Sequence, residues 1–148
     1  MKKILITILV SFIVSTSYSA GTDSSNETNY GKDYKSAVKL ISKKKYDNAI
    51  EKLMDLVDVS SSDFTKADVL NEIGFAFRKN NDLDNASKYY LMALKEDPNH
   101  LGALEYQGEM FVDLGQKDKA LANLNKLKDL VGEKNSFYKE LDSYISRN

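Results

Sequence analysis

The chain has no cysteine and no tryptophan, and it has one proline and one histidine among its 148 residues. Without cysteine, the sequence excludes disulfides, thiolate metal sites and cysteine nucleophiles. The single histidine, His100, follows Pro98 in a predicted turn with no nucleophile beside it, which favours a solvated turn residue over a catalytic base. No glycine-rich phosphate loop is present. The sequence therefore predicts a protein that is not an enzyme and has no cofactor and no metal site.

A strong excess of either charge is also missing. The 21 lysines and arginines nearly balance the 22 acidic residues, and the two signs are interspersed along the chain. Nucleic-acid binding typically needs a basic face, so we expect no nucleic-acid partner. The 42% of apolar and 29% of charged residues are typical of a soluble globular protein of one ordinary domain.

Residues 1–19 resemble a secretory signal peptide. Lys2 and Lys3 precede an apolar run, Ile4 to Val14, and the following residues are mostly small and polar. The run is too short to span a bilayer, which needs roughly 20 apolar residues. We expect cleavage before Ala20, with an uncleaved N-terminal anchor as the alternative. A cleaved signal predicts a periplasmic or secreted bacterial protein with no stable membrane insertion.

Residues 20–29 are small and polar and lack apolar periodicity. This composition predicts a disordered leader between the signal peptide and the folded domain.

From Tyr30 onward, apolar residues recur at helical spacing. Alignment of the chain on itself places Ala49, Ala86 and Ala120 at the same phase, with spacings of 37 and 34 residues, and Gly74 and Gly108 are also 34 apart. Small residues at such points allow two helices to cross closely. One hairpin cannot bury its apolar face alone, so we expect neighbouring hairpins to stack.

The stretch Ala67–His100 carries the clearest copy of the repeat. A large residue, an Ile-Gly pair, an aromatic, an alanine, an aromatic, an alanine and a proline follow one another at set places: Leu70, Ile73, Gly74, Phe77, Ala86, Tyr90, Ala93 and Pro98. This pattern resembles that of a tetratricopeptide repeat (TPR). The units on either side keep fewer of these residues, as expected for terminal repeats of which one side faces water.

The resemblance implies an all-α fold, a right-handed superhelical array of about three TPR-like helix hairpins plus a C-terminal capping helix. The hairpins correspond to residues 30–63, 67–100 and 101–134. Residues 136–147 place Phe137, Leu141, Tyr144 and Ile145 on one stripe, which favours a helix that caps the third hairpin. A membrane-surface helix is the alternative, but its polar face would typically be rich in lysine and arginine.

In the family that this pattern resembles, the first helix of each hairpin lines a concave groove that binds partner peptides. Transferred by repeat phase, the expected groove residues are Tyr34, Val38 and Ile41, then Asn71, Phe75 and Arg78, then Glu105, Glu109 and Val112. The repeat core does not require Phe75, so this ring is either a binding anchor or a contact with the adjacent repeat. Members that clamp a C-terminal carboxylate use Lys, Asn and Arg, which are missing from the corresponding positions here: Tyr34, Val38, Glu72, Gly102 and Tyr106.

These features together predict a protein-interaction adaptor of the bacterial cell envelope. Its groove is expected to be apolar at the N-terminal end and acidic at the C-terminal end, which suits another protein or peptide segment with basic and apolar side chains. The alternative is a self-associating structural component of an envelope complex, since a short array has open ends that a homo-oligomer could bury.

Overall fold

The computed structural model describes residues 29–148. Within this range the chain forms seven helices and no strand: α1 (Tyr30–Ser42), α2 (Tyr46–Met54), α3 (Lys66–Lys79), α4 (Leu83–Glu96), α5 (Leu101–Asp113), α6 (Lys117–Val131) and α7 (Ser136–Arg147). The predicted signal peptide and, except for Asn29, the predicted leader lie outside the described residues. None of the seven helices is long and apolar enough to cross a membrane.

The helices pack in two layers. Among the described residues, the backbones of α1, α3, α5 and α7 approach one another in succession, whereas the backbones of α2, α4 and α6 do not. Each helix of the second series lies between two of the first, because α2 packs on α1 and α3, α4 on α3 and α5, and α6 on α5 and α7. The array therefore curves with α1, α3, α5 and α7 on its inner side, as the all-α repeat prediction requires.

Side-chain caps fix where five of the helices begin. An oxygen or nitrogen of the residue before each helix accepts a hydrogen bond from a backbone N–H of the first turn, which that turn cannot satisfy internally. The capping residues are Asn29 for α1, Thr65 for α3, Asp82 for α4, His100 for α5 and Asn135 for α7.

His100 is not the solvated turn residue that the sequence suggested. Its Nδ1 accepts the N–H of Ala103 at 3.0 Å, and its Nε2 lies 3.0 Å from Asp68 Oδ1. Asp68 in turn accepts the N–H of Thr65 at 2.7 Å. One imidazole therefore joins the starts of α3 and α5, and thereby fixes the second hairpin against the third.

The turn inside each hairpin is built in the same way three times. A residue with left-handed backbone ends the first helix: Lys44 at φ 58°, Asn81 at φ 61° and Gly115 at φ 70°. The next residue's N–H then bonds to a carbonyl five residues back, in the pairs Lys45 to Leu40 (2.9 Å), Asp82 to Phe77 (3.0 Å) and Gln116 to Phe111 (2.7 Å). These turns have the spacing of the sequence repeat, so the divergent first unit keeps the same backbone geometry.

Small residues lie where helices approach most closely. Ala49, Ala86 and Ala120 are fully buried. A Cβ added to Gly74 would come within 2.9 Å of the Tyr90 ring across the second hairpin, in agreement with the predicted close crossing. The equivalent Gly108 instead makes room for α7, because its Cβ would lie 2.5 Å from Leu141. The last helix is therefore packed as a fourth inner helix.

Candidate binding groove

The inner side of α1, α3, α5 and α7 forms the concave surface that we call the groove. Helical phase brings the predicted residues to it, and the structure places them in three zones. Tyr34 and Val38 lie at the α1 end, Asn71 and Phe75 lie in the middle, and an ionic cluster occupies the α7 end. The cluster includes two of the predicted residues, Arg78 and Glu109, and Glu105 lies one helical turn before Glu109.

The α1 end of the groove is apolar and well packed. Tyr34 stacks on Phe64 with ring centroids 4.9 Å apart and planes 22° from parallel. Burial raises the pKa of the Tyr34 hydroxyl, and the nearby Glu72 carboxylate raises it further. Val38 is half-buried, while Ile41 is buried in the core. Tyr34 and Val38 are thus partly accessible side chains on a rigid wall, and Ile41 is a packing residue.

An aromatic step crosses the middle of the groove. Phe75 of α3 packs against Tyr106 of α5 with ring centroids 4.7 Å apart, and Lys79 Nζ lies 5.1 Å from the Phe75 centroid. Both rings are half-buried, so Phe75 contacts the adjacent repeat and also presents part of its ring to the groove. Phe75 can therefore both contact the adjacent repeat and act as a binding anchor, the two roles that the sequence left open.

Beside this step lies a buried amide–carboxyl pair. Asn71 is only 3% exposed, and its Nδ2 donates to Glu72 Oε1 at 3.3 Å. Its Oδ1 is fully buried and has no hydrogen-bond partner among the described residues. Burial raises the pKa of Glu72 to about 7, against the lowering effect of the Asn71 bond. The groove floor therefore contains an amide oxygen that forms no hydrogen bond with the described residues.

At the α7 end, Arg78 ties three helices together. Its Nε donates to Asp113 Oδ2 at 2.7 Å, its Nη1 pairs with Glu109, and its Nη2 donates to Tyr144 Oη at 3.0 Å. Tyr144 in turn donates to Asp113 Oδ1 at 2.5 Å. The Arg78 side chain is only 4% exposed. Three N–H groups of its guanidinium thus join α3 to α5 and α7, and its charge is paired with two carboxylates, so it is not a free cation for a partner.

Glu105 lies one turn before Glu109 on α5 and has a different environment. It is 6% exposed and makes no hydrogen bond or ion pair with the described residues. Burial raises its pKa to about 8, and the charges of Glu109 and Glu140 raise it further, while Arg78 opposes them. The predicted acidic end of the groove therefore contains carboxylates of two kinds: Glu109, which is neutralised by Arg78, and Glu105, which is not.

Comparison with known proteins gives one sequence match. Residues 67–100 match the tetratricopeptide repeat family. The match covers the central hairpin, and its recognisable residues are those that pack the repeat: Gly74 against Tyr90, with Ala86 and Ala93 buried. No significant sequence match is found among the curated proteins.

Solved structures extend the likeness to most of the chain. The structure of PcrH in complex with the chaperone binding region of PopB is similar, with a TM-score of 0.65, 16% identity, and 83% of this chain and 95% of that one covered. So is the C-terminal TPR-containing domain of a Plasmodium falciparum protein assigned to the FK506-binding proteins, with a TM-score of 0.58, 17% identity, and 81% and 88% covered. These likenesses show the fold: the single repeat found in the sequence is the middle of a TPR-like array.

Four groove residues were not among the residues predicted to bind a partner, although the sequence analysis named Glu72 and Tyr106 as positions at which the carboxylate clamp is missing. Asp113 and Tyr144 complete the Arg78 cluster, and Glu72 and Tyr106 flank the aromatic step. Glu72 and Tyr106 hold the same repeat position, 34 residues apart, on the groove side of their helices. That spacing is the sequence signal that could have found them. No comparable signal points to Tyr144, because it lies outside the repeat pattern on α7.

Proposed function

We propose that the chain is a protein-interaction adaptor that holds a segment of another protein in the groove. The observation that carries this proposal is the half-buried Phe75–Tyr106 step on the concave side of a rigid array. Large aromatic side chains at the centre of a concave surface are the typical anchors of a protein interface. The similar structure of PcrH was solved with a segment of PopB bound, which supports a protein partner for this fold.

The place of action that we propose is the bacterial cell envelope, in the periplasm or outside the cell. This part of the proposal rests on residues 1–19, whose basic start and short apolar run are typical of a cleavable signal peptide.

Site-directed photocrosslinking tests the groove. A photoreactive benzoylphenylalanine is placed at position 75 of the full chain in its native cells, and in a matched strain at position 91, since Leu91 on α4 is 66% exposed. We expect one discrete adduct from position 75, identified by mass spectrometry, and none of it from position 91. The same adduct from both positions, or none from position 75, would contradict the proposal that the groove binds the partner.

Self-association is the second candidate. Several large apolar side chains of the described part are exposed away from the groove residues, among them Leu91, Leu121, Leu130 and Val131, and a homo-oligomer could cover them. Light scattering distinguishes the two functions, because an adaptor that works alone stays monomeric at high micromolar concentration. A concentration-dependent rise in mass would favour the structural role.

A further inference from the structure

The Arg78 cluster leaves one groove carboxylate without a partner. Arg78 donates to Asp113, Glu109 and Tyr144, so its positive charge is shared by two carboxylates already. Glu105 also lies in this part of the groove, but it receives no hydrogen bond from Arg78 or from any other described residue. The region therefore has more acidic than basic side chains, and the acid without a partner, Glu105, is more buried than Glu109 and Asp113.

Burial makes this arrangement costly for the protein alone. Glu105 is only 6% exposed to solvent. It faces Glu109 on its own helix and Glu140 on α7. A buried charge without a partner destabilises a fold strongly, so burial raises the pKa of Glu105 to about 8 and favours its protonated form near neutral pH. A buried acid that pairs with no described residue indicates a site that is completed by a ligand.

A second, independent observation points to the same kind of ligand. Asn71 occupies the same repeat position as Glu105, 34 residues earlier. It is 3% exposed, and its Oδ1 is also unpaired. The same position in two successive repeats therefore holds a buried acceptor that lacks a donor. Asn71 lies on α3 and Glu105 at the equivalent place on α5, the neighbouring inner helix.

The aromatic side chains near Glu105 and Asn71 suit a ligand that carries a cation at the end of an aliphatic chain. Phe75 and Tyr106 stand beside it as paired rings, and ring faces bind both ammonium groups and methylene chains. Lys79 already holds its Nζ 5.1 Å from the Phe75 centroid, so the ring accepts a positive group. The described residues contain no group of three His, Cys, Asp or Glu side chains placed to hold a metal ion, which favours an organic cation.

We propose that Glu105 and Asn71 form a subsite for a lysine or arginine side chain of the segment bound in the groove, with Phe75 and Tyr106 holding its stem. This inference rests on the proposed function and names the partner chemistry: a basic side chain next to an apolar one. Glu105 provides the negative charge, because a cation beside it favours its ionised form, and the amide oxygen of Asn71 accepts a second hydrogen bond. Arg78 pairs with Glu109 and Asp113. Glu105 is therefore the acid of this cluster region that is left to bind a basic side chain.

Peptides of defined sequence test the subsite. Twelve-residue peptides are selected from a random display library on the full chain, and their dissociation constants are measured for the wild type and for Glu105→Gln, Phe75→Ala and the control Glu51→Gln. Glu51 is an exposed acid on α2, so its variant changes net charge equally. The selected peptides are also made with each basic residue replaced by glutamine. Circular dichroism checks that each variant is folded.

We expect the selected peptides to contain a basic residue whose replacement weakens binding about tenfold or more, the usual worth of a charge-assisted hydrogen bond. Glu105→Gln should cause a similar loss, should abolish the effect of the peptide replacement, and should melt no lower than the wild type. Glu51→Gln should bind normally. Peptides that need Phe75 but bind Glu105→Gln unchanged would overturn the basic subsite and leave the groove function intact. Failure of every selected peptide to depend on Phe75 would overturn both.

Discussion

Arg78 shows how a side chain can belong to a binding surface and yet act within the protein. The sequence alone presents it as a groove cation, but its three partners lie on α5 and α7. Removing it would leave Glu109 and Asp113 facing each other without a cation. The His100–Asp68 contact also joins α3 to α5, but the Arg78 contacts reach α7 as well.

Arg78→Ala should therefore lower the free energy of unfolding by about 2 to 4 kcal/mol, somewhat less than for a fully buried pair because Asp113 is partly exposed. Urea denaturation at neutral pH measures this loss. Lys66→Ala is the matched control, because the Lys66–Asp58 pair at 2.8 Å is exposed and its removal should change stability little. Equal effects of the two variants would contradict the assignment of Arg78 as a structural tie.

Glu105 gives the chain a pH-dependent stability. Its pKa is near 4.5 when unfolded and is raised to about 8 in the folded protein by burial and by Glu109 and Glu140. The folded state thus binds the proton more tightly. The contribution of this group to the free energy of unfolding is fully present below about pH 4.5 and is lost as the pH rises through about 8.

Glu105→Gln should remove this dependence. The variant should match the wild type near pH 4.5 and exceed it near pH 8.5 by on the order of 1 kcal/mol, after allowance for solvent screening. Urea unfolding of both proteins at the two pH values gives the difference. Since other acids such as Glu72 titrate equally in both proteins, the comparison isolates Glu105. A difference that does not grow with pH would contradict the unpaired, buried carboxylate.

At the scale of helices and turns, the three hairpins share one backbone geometry in spite of their different sequences. The left-handed position holds glycine only in the third turn, at Gly115, whereas the first and second turns use Lys44 and Asn81. A side chain in this conformation is strained by about 1 to 2 kcal/mol for most residues, and less for asparagine. The first hairpin therefore carries a local defect that the repeat does not require.

Lys44→Gly should raise the free energy of unfolding by about 0.5 kcal/mol, because the relief of strain exceeds the added flexibility of the unfolded chain. Thermal or urea unfolding measures the change. The neighbouring Lys43 has an ordinary φ of −90°, so Lys43→Gly should destabilise instead. If both variants lose stability, the turn is not held in the left-handed conformation.

The repeat pattern predicted these elements well because its residues are those that packing requires. Gly74, Ala86 and Tyr90 meet inside one hairpin, where local sequence spacing determines which side chains face each other. The pattern predicted that Gly108 lies at a close helix crossing, but it did not show that the neighbouring side chain is Leu141, which lies on a helix outside the pattern. His100 was misjudged since a polar residue after a proline gives no sign of the Asp68 carboxylate that reaches it from another hairpin.

At the scale of the whole molecule, the stacking of the hairpins produces the groove. The pairing of the side chains in the groove could not be predicted from the sequence, for a physical reason. Which acids pair with Arg78 depends on how far successive hairpins rotate, and this rotation is set by many contacts along the array. The sequence therefore placed Phe75, Arg78 and Glu109 on the groove side, but it could not distinguish the compensated Glu109 from the uncompensated Glu105.

The central claim is that a partner segment lies along the inner helices. It is tested most directly by nuclear magnetic resonance of the isotope-labelled chain, titrated with a peptide copied from the segment that crosslinks at position 75. We expect the largest shifts among the backbone amide signals of α1, α3 and α5, with the greatest changes near Phe75 and Glu105. The largest shifts on α2, α4 and α6, with the signals of Phe75 and Glu105 unmoved, would contradict it.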